Sequence, residues 1–429
     1  VVPGLEYKSD NLEAMTESAT LCRGLGRSYG DSALPAREDC PVAETTLADR
    51  LLGFDSETGV LRAEAGTSLF DLNRVFLRRG WFVPVTPGTQ FVTLGGMVAS
   101  DVHGKNHHVD GCFGEHVRSL KIRVADGRIL EISDTNEQEL FRATIGGMGL
   151  TGHILEVEFT MRRIPSPWIW GESERISNLD AMIAGLKNAA KQWPMTVGWV
   201  DCIASGDNLG RGILMKGRWA EPHEAPKKLP SEKHRFRVPM QFPSIALCRL
   251  SMKAFNFAYY WKHYQEVRRG IVHPAAFFYP LDMLDDWNLV YGKRGFTQYQ
   301  CVLPKADDNG PARRFLQRFV ELGGMGFLCV IKDCGPEGKG MLSFPRPGIS
   351  IAMDFPIHAK KTPPMIDRLN ELVIAEGGRI YLTKDTFTKP EHFQAMEPRL
   401  EAFNAVRRKW DPQARIRSAQ SVRLLGDPQ

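Results

Sequence analysis

The stretch from Pro87 to Val117, PGTQFVTLGGMVASDVHGKNHHVDGCFGEHV, constrains this chain more than any other. Six glycines stand in it among Thr, Ser, Asp, Asn and His, and scarcely two turns of helical pattern run uninterrupted. Such a segment does not fold for its own sake. Glycine admits positive φ and lets main-chain N–H groups approach a ligand with no Cβ in the way, and successive N–H groups in such turns form concavities that hold anions. A diphosphate suits them, and the rest of the chain is expected to hold this stretch in place.

Two more glycine loops lie in the first 164 residues. Arg23-Gly-Leu-Gly-Arg-Ser-Tyr-Gly-Asp31 and Gly147-Met-Gly-Leu-Thr-Gly152 both have spacings close to the dinucleotide fingerprint. That fingerprint needs a strand running straight into an amphipathic helix. The first loop is followed by the proline-broken DSALPAREDCP, and the second runs from helix-like ELFRATI into HILEVEFTM, whose alternation reads as a strand. Three such loops in one region indicate a nucleotide held by another fold, although each alone is also a tight turn. Around them, Thr58 to Glu64 has a strand pattern, Ser68 to Arg79 a helical one ending at Gly80, and Asp126-Gly127 joins two alternating runs as a hairpin.

At 429 residues, 43% hydrophobic and 24% charged, the chain has room for two or three domains and a large core. Eight scattered cysteines without a CxxC pair indicate reduced thiols and no structural zinc. A formal charge of +5 is too mild for nucleic acid. No apolar run of about 18 residues spans a membrane, and VVPGLEYKSD lacks the pattern of a signal peptide. The expected location is therefore cytoplasmic or peripheral to the inner face of the membrane.

Pro165 to Pro167 mark a boundary. Beyond it, strand patterns (Met195 to Ile203, Phe296 to Leu303, Ile349 to Phe355) alternate with helical ones (Leu179 to Lys191, Ala312 to Leu322), which predicts one antiparallel sheet with helices on one face. Glu221 to Pro243 has no clean period and reads as a mobile loop. Ile245 to Arg269 mixes Arg249, Lys253, Lys262, Arg268 and Arg269 with Phe255, Phe257, Tyr259, Tyr260 and Trp261, and reads either as an amphipathic helix against its own sheet or as a surface for an anionic membrane. The end of the chain reads as a strand (RIYLT), a helix from Glu391 to Trp410 and a short tail.

Four histidines, His103, His107, His108 and His116, lack the helical spacing or Cys partners of a zinc site, so no metal is expected. Lys384 ends an apolar strand beside Asp385. It either pairs with that neighbour or acts through a depressed pKa or as a fixed charge beside a developing anion. Lys105 and Lys332 raise the same alternatives. Gln298 and Gln300 share one strand face, so both can enter one pocket.

These residues carry a resemblance. RGLGRSYGD, PGTQFVTLGGMVASDVHGKNHH, GGMGLTG, PLDM, QYQ, FPRPG, DFP, YLTKD and VRRKWDP are similar to the flavin-linked decaprenylphosphoryl-β-D-ribose 2′-oxidase family, within the vanillyl-alcohol-oxidase type of FAD-binding proteins. The likeness runs from about Arg23 to the C-terminal tail and is weakest between Gly171 and Met195 and between Ala220 and Val272. It implies an α+β fold: a two-subdomain FAD-binding (PCMH-type) domain over residues 1–164, a substrate domain over 165–379 with an antiparallel sheet flanked by helices, and a segment over 380–429 that returns to the FAD domain.

By motif, the resemblance assigns the FAD diphosphate to Arg23, Gly24, Leu25, Gly26, Arg27, Ser28, Tyr29, Gly30 and Asp31, with Pro87, Gly88, Thr89, Thr93, Gly95 and Gly96. Ser100, Asp101, His103, Gly104, Asn106 and His107 would line the rest of the flavin, Thr151, Gly152 and Ile154 the adenosine, and Tyr381 the flavin from the tail. Arg27 stands where relatives in the superfamily carry a flavin-linked His, so the implied FAD is non-covalent. Lys384, His103 and Tyr29 are the implied catalytic residues. Lys105, Trp199, Gln298, Gln300, Lys332, Ser350, Ala352, Asp354 and Lys384 would line the sugar and phosphate pocket.

The implied reaction oxidises the 2′-hydroxyl of a polyprenylphosphoryl ribose, with an NAD(P)H-dependent reductase as partner to complete an epimerisation, and with peripheral membrane contact. The chain departs from the family at Ala352 (a Cys in some members, where nitroaromatic inhibitors attach), Phe278 (expected Tyr) and Ser350 (expected Asn), which bears on the identity of the sugar or lipid. The alternatives are an FAD-dependent oxidase of a soluble sugar, alditol or aldonolactone, and a flavin-binding subunit without catalysis.

Overall fold

A computed structural model describes residues 4–231, 236–243 and 247–428. The described chain is α+β, with three main sheets. Leu5–Lys8, Pro41–Glu44 and Leu21–Arg23 form a small parallel sheet. Leu51–Phe54, Val60–Glu64, His153–Thr160, Val117–Arg123 and Ile129–Ser133, in that spatial order, form a five-stranded antiparallel one. In His153–Thr160 burial alternates with period two, and Leu155, Val157 and Phe159 enter the core with Leu61, Ala63, Leu120 and Ile122. The helix Leu69–Phe76 is capped by Ser68, whose hydroxyl accepts from the Asp71 N–H, and ends through a short 3-10 turn at Gly80.

From Ile169 to Ile380 the chain builds one eight-stranded sheet in which every pairing is antiparallel. Its order is Val267–Val272, Ile169–Ile176, Gly212–Trp219, Met195–Val200, Cys329–Cys334, Gly348–Pro356, Phe296–Leu303 and Arg379–Ile380. The helices Leu179–Ala189, Gly310–Glu321 and Thr362–Ala375 bury Leu186, Phe315, Phe319 and Leu369 with Tyr299, Cys301, Ile331, Ile351 and Met353 of the strands. Since side chains alternate along a strand, the intervening Gln298, Gln300, Val330, Lys332 and Ala352 face the other way. They form a wall of the large cavity described below.

Several sequence expectations are corrected. The helix from Glu391 to Trp410 is two helices, Pro390–Met396 and Leu400–Trp410: Glu397, which precedes Pro398, has φ −120° and ψ 86°, because a residue before proline is pushed out of the α region. The tail contains a further helix, Ala419–Leu425, with a Ser418 capping box. The strand RIYLT shrinks to Arg379–Ile380, followed by the 3-10 turn Leu382–Lys384. Within the glycine-rich stretch, Thr93 caps a short helix, Leu94–Ala99.

The expected basic, aromatic stretch is a helix, Arg249–Trp261, followed by the edge strand Val267–Val272; its residues 245 and 246 lie outside the described part. So do residues 232–235 of the expected mobile loop, whose Phe236–Arg237 pairs in parallel with Leu284–Asp285. The last helices return to the beginning of the chain. Phe403, Val406, Trp410 and Leu424 share a core with Leu140, Phe141 and Ile154.

Candidate active site

The glycine loops, the inner face of the large sheet and the turn at Lys384 surround one cavity of about 1570 Å³. Ligand pockets are commonly about 300–1,000 Å³, so there is room for a dinucleotide and a second molecule. One end is lined by residues 24–29, by Pro87, Gly88, Thr89, Thr93, Gly95 and Gly96, by Ser100, His103 and Gly104, and by Gly149, Gly152 and Ile154. At Gly88 and at Gly149 an added Cβ would meet nothing within 4 Å, and Gly149 has φ 78°. Bare backbone therefore faces this end of the cavity, as close approach of a diphosphate requires.

Lys384 reaches the cavity because its turn is stitched to the first glycine loop. The Tyr29 N–H donates to the Thr383 carbonyl at 2.9 Å, and a Cβ at Gly30 would lie 1.6 Å from the Asp385 carbonyl oxygen. The Lys384 Nζ stands 3.9 Å from the centroid of the Tyr29 ring, a cation–π contact. Asp385 turns away and accepts from Arg423 at 2.8 Å, while Arg423 also donates to both oxygens of Asp31. Of the two readings of Lys384, pairing with Asp385 is thus excluded.

Burial lowers the Lys384 pKa, with Asp354 opposing and Lys332 adding to the fall. Burial also lowers Lys332, and takes Lys105 to about 7 with help from Lys332. Lys105 donates to the Phe277 and Phe278 carbonyls at 2.7 and 3.1 Å. His103 is held well below its ordinary range by burial and by the Lys332, His107 and Lys384 charges, so its ring is neutral at pH 7. Its Nε2 lies 3.0 Å from the Gln300 amide nitrogen, which also donates to Ser350 Oγ at 3.1 Å. If that nitrogen donates to both, the His103 proton sits on Nδ1, which has no partner among the described residues. Tyr29 is raised well above its ordinary range by burial and by Asp354. Trp199 donates to the Phe327 carbonyl at 3.0 Å, and Tyr381 to the Ser100 carbonyl at 2.9 Å.

Nine expected site residues stand off the cavity. Gly30 and Asp31 serve the seam with the tail. Arg23 reaches toward Glu6, with their closest atoms 4.0 Å apart. Asp101, wholly buried at φ 39°, accepts from the Gly114 N–H and the Ser343 hydroxyl. Asn106 donates to the Pro84 carbonyl and to Asp110, His107 accepts from the Gly335 N–H, and Thr151 bonds to Thr144. Ser350 and Asp354 act from behind, on Gln300 and Gln298. Of the other histidines, His108 bonds to the Trp193 carbonyl and His116 to that of Asp110.

Sequence reasoning missed the far arm of the cavity, where Met252, Phe255 and Tyr259 of the helix Arg249–Trp261 face Phe327 and Leu328. The i, i+3, i+7 spacing of the three was the available signal. Arg268, Arg269, Glu172 and Lys216 line the same arm.

A cavity walled at one end by bare glycine backbone and at its centre by buried lysines and paired glutamines suits a flavin dinucleotide beside a hydroxylated substrate. Residues 14–133 match the FAD binding domain family. The chain is an FAD-dependent oxidoreductase acting on CH–OH groups. Over 415 residues it is 34% identical to decaprenylphosphoryl-beta-D-ribose oxidase of Mycolicibacterium smegmatis, covering 94% of this chain and 88% of that one, and it belongs to that family. It is also similar to an uncharacterised Streptomyces coelicolor protein (29% over 367 residues, 83% of this chain and 99% of that one). L-gulonolactone oxidase of Mus musculus is 31% identical over 119 residues, 27% of this chain and 26% of that enzyme.

Proposed function

We propose that this protein oxidises the 2′-hydroxyl of a polyprenylphosphoryl ribose to the 2′-keto sugar. The observation that carries the reading is the continuity of one cavity from the glycine loops, past Lys384, Lys332 and Lys105, into an arm under the helix Arg249–Trp261 with one apolar side, Met252, Phe255, Phe327 and Leu328. Cofactor, sugar, phosphate and lipid each find matching chemistry along it. The glycine loops and Tyr381 would hold non-covalent FAD, which supplies when bound the two-electron redox step. Gln298 and Gln300 orient the sugar by their amides. Lys384, whose ammonium is weakened by burial, takes the hydroxyl proton as the adjacent C–H bond breaks. Lys332, which faces the cavity without a hydrogen-bond partner among the described residues, balances the phosphodiester charge together with Lys105.

A polyprenyl tail has to remain in lipid while its sugar reaches Lys384. Around the far arm, Leu250, Phe257, Trp261 and Tyr264 are exposed among Arg249, Lys253 and Lys262, a composition that suits the surface of an anionic membrane. No helix of the described residues is long and apolar enough to cross one. An NAD(P)H-dependent reductase would take up the keto sugar.

The test is an anaerobic absorbance titration of the holoprotein with a short-chain polyprenylphosphoryl ribose, beside free ribose, an arabinono-lactone and xylitol. Bleaching of the flavin by the lipid-linked sugar alone is expected. Bleaching by a soluble sugar, alditol or lactone would overturn the substrate assignment. Co-sedimentation with anionic but not neutral vesicles checks the membrane contact.

A further inference from the structure

Asp354 is the feature of this centre that sugar binding does not explain. It lies opposite Gln298 in the antiparallel register of Gly348–Pro356 and Phe296–Leu303, is wholly buried, and does not line the cavity. One carboxylate oxygen accepts from the Gln298 amide. The other has no hydrogen-bond partner among the described residues, and the same is true of the nearby buried Tyr291 hydroxyl. A buried carboxylate with half of its acceptor capacity unused is costly unless a charge compensates it. The opposite charge that acts on it is Lys384, through space and without a direct ion pair among the described residues.

We propose that Asp354 is a positioning residue of the Lys384 centre: from behind the wall it fixes the Gln298 amide and supplies the negative charge that governs whether Lys384 carries its proton. This rests on the reading of Lys384 as proton acceptor given above. The step moves one proton, from the substrate hydroxyl to the Lys384 nitrogen, and Asp354 forms and breaks no bond.

The surroundings leave few other sources for this effect. The groups that act on Lys384 or on its immediate neighbours are Tyr29 from the first glycine loop, His103 from the glycine-rich stretch, Lys332 from Cys329–Cys334 and Asp354 from Gly348–Pro356. Tyr29 and His103 are neutral, Lys332 repels the ammonium, and Asp354 is the carboxylate that favours it. On the other side, Asp354 faces Gln298, Tyr29, Tyr291 and Cys329, none of them cationic. The two charges are therefore each other's principal partners. Burial raises the Asp354 pKa, and the Gln298 hydrogen bond and the Lys384 charge oppose the rise.

The experiment compares the wild type with Asp354→Asn by two readouts. The first is the pH dependence of flavin reduction by short-chain polyprenylphosphoryl ribose in anaerobic stopped flow. The second needs no turnover: the pH dependence of Lys384 acetylation by acetic anhydride, read by peptide mass. A nearby opposite charge moves a pKa by up to roughly 1–3 units. Removing the negative charge weakens the ammonium, so in D354N both the acid limb of the rate and the acetylation midpoint should move to lower pH by about that amount. Asp354→Glu, which keeps the charge, should stay within about half a unit of wild type on the same scale.

A D354N rate that falls while neither midpoint moves would overturn the proposal and leave Asp354 a structural residue. If D354N does not accumulate with FAD, Asp354→Ser carries the same expectation and the same refutation. If the wild type is not reduced by the lipid-linked sugar at all, the substrate reading fails, while the acetylation midpoints still decide the role of Asp354.

Discussion

Arg423→Met tests whether the last helix holds the reacting centre together. The Arg423 guanidinium donates to Asp31 at 2.9 and 2.7 Å, to Asp385 at 2.8 Å and to the Thr388 carbonyl at 2.6 Å. Its side chain is 25% exposed, that of Asp31 21% and that of Asp385 3%. Methionine keeps much of the aliphatic stem and removes the charge, which leaves two carboxylates facing each other. Breaking a buried pair by removing one partner costs about 3–5 kcal/mol, and exposed pairs are worth about 0–1. The burial of Asp385 puts this clasp near the lower end of the first range, about 3 kcal/mol. That is roughly a hundredfold in an equilibrium constant. Because Asp385 adjoins Lys384 and Asp31 closes the first glycine loop, the loss should appear as a lower urea midpoint and as weaker FAD binding, read by flavin fluorescence on dilution. An R423M protein within about 1 kcal/mol of wild type, with unchanged FAD affinity, would refute the reasoning.

Lys384→Ala should retain FAD with an unaltered visible spectrum and lose about 10²–10⁴ in the rate of flavin reduction; near-normal reduction would mean that another residue takes the proton. Acid precipitation of the holoprotein should leave the flavin in the supernatant, since Arg27 offers no group for a covalent link, and yellow colour in the pellet would contradict this. Burial lowers His153 to about 4, where its ring bonds to the Cys22 thiol and the Ala19 carbonyl. Between that value and about 6.5 the unfolded chain takes up a proton that the folded one refuses. Stability should therefore fall as pH drops through this window, by about 2 kcal/mol from His153 at pH 5. Urea midpoints at pH 7 and 5 that differ as much in His153→Asn as in the wild type would show that this residue is not responsible.

Much of the site was legible because its chemistry depends on residue types that serve poorly elsewhere. Glycine loops without a helix to follow, and glutamines at alternate positions of an apolar strand, have few structural uses. What escaped was set by contacts distant in sequence. Nothing local distinguishes Gly149, which faces the cavity, from Gly30, which packs on Asp385. Nothing near Asp354 announces that Gln298 stands between it and the cavity, because the register of two strands 56 residues apart decides it. The neighbour of Lys384 suggested an ion pair, yet Asp385 is taken by an arginine 38 residues on. Helix ends were misread where one proline, Pro398, outweighed twenty residues of amphipathic pattern.

The clasp at Arg423 also orders events in time. Synthesis delivers the chain from its N-terminus, so all three glycine loops exist well before Ser418 and the helix that follows it. Until that helix is made, Asp31 and Asp385 both lack their arginine, so neither the first glycine loop nor the turn bearing Lys384 is tethered. Tight cofactor capture and catalytic competence then arrive together, because one arginine tethers both Asp31 of the first glycine loop and Asp385 beside Lys384.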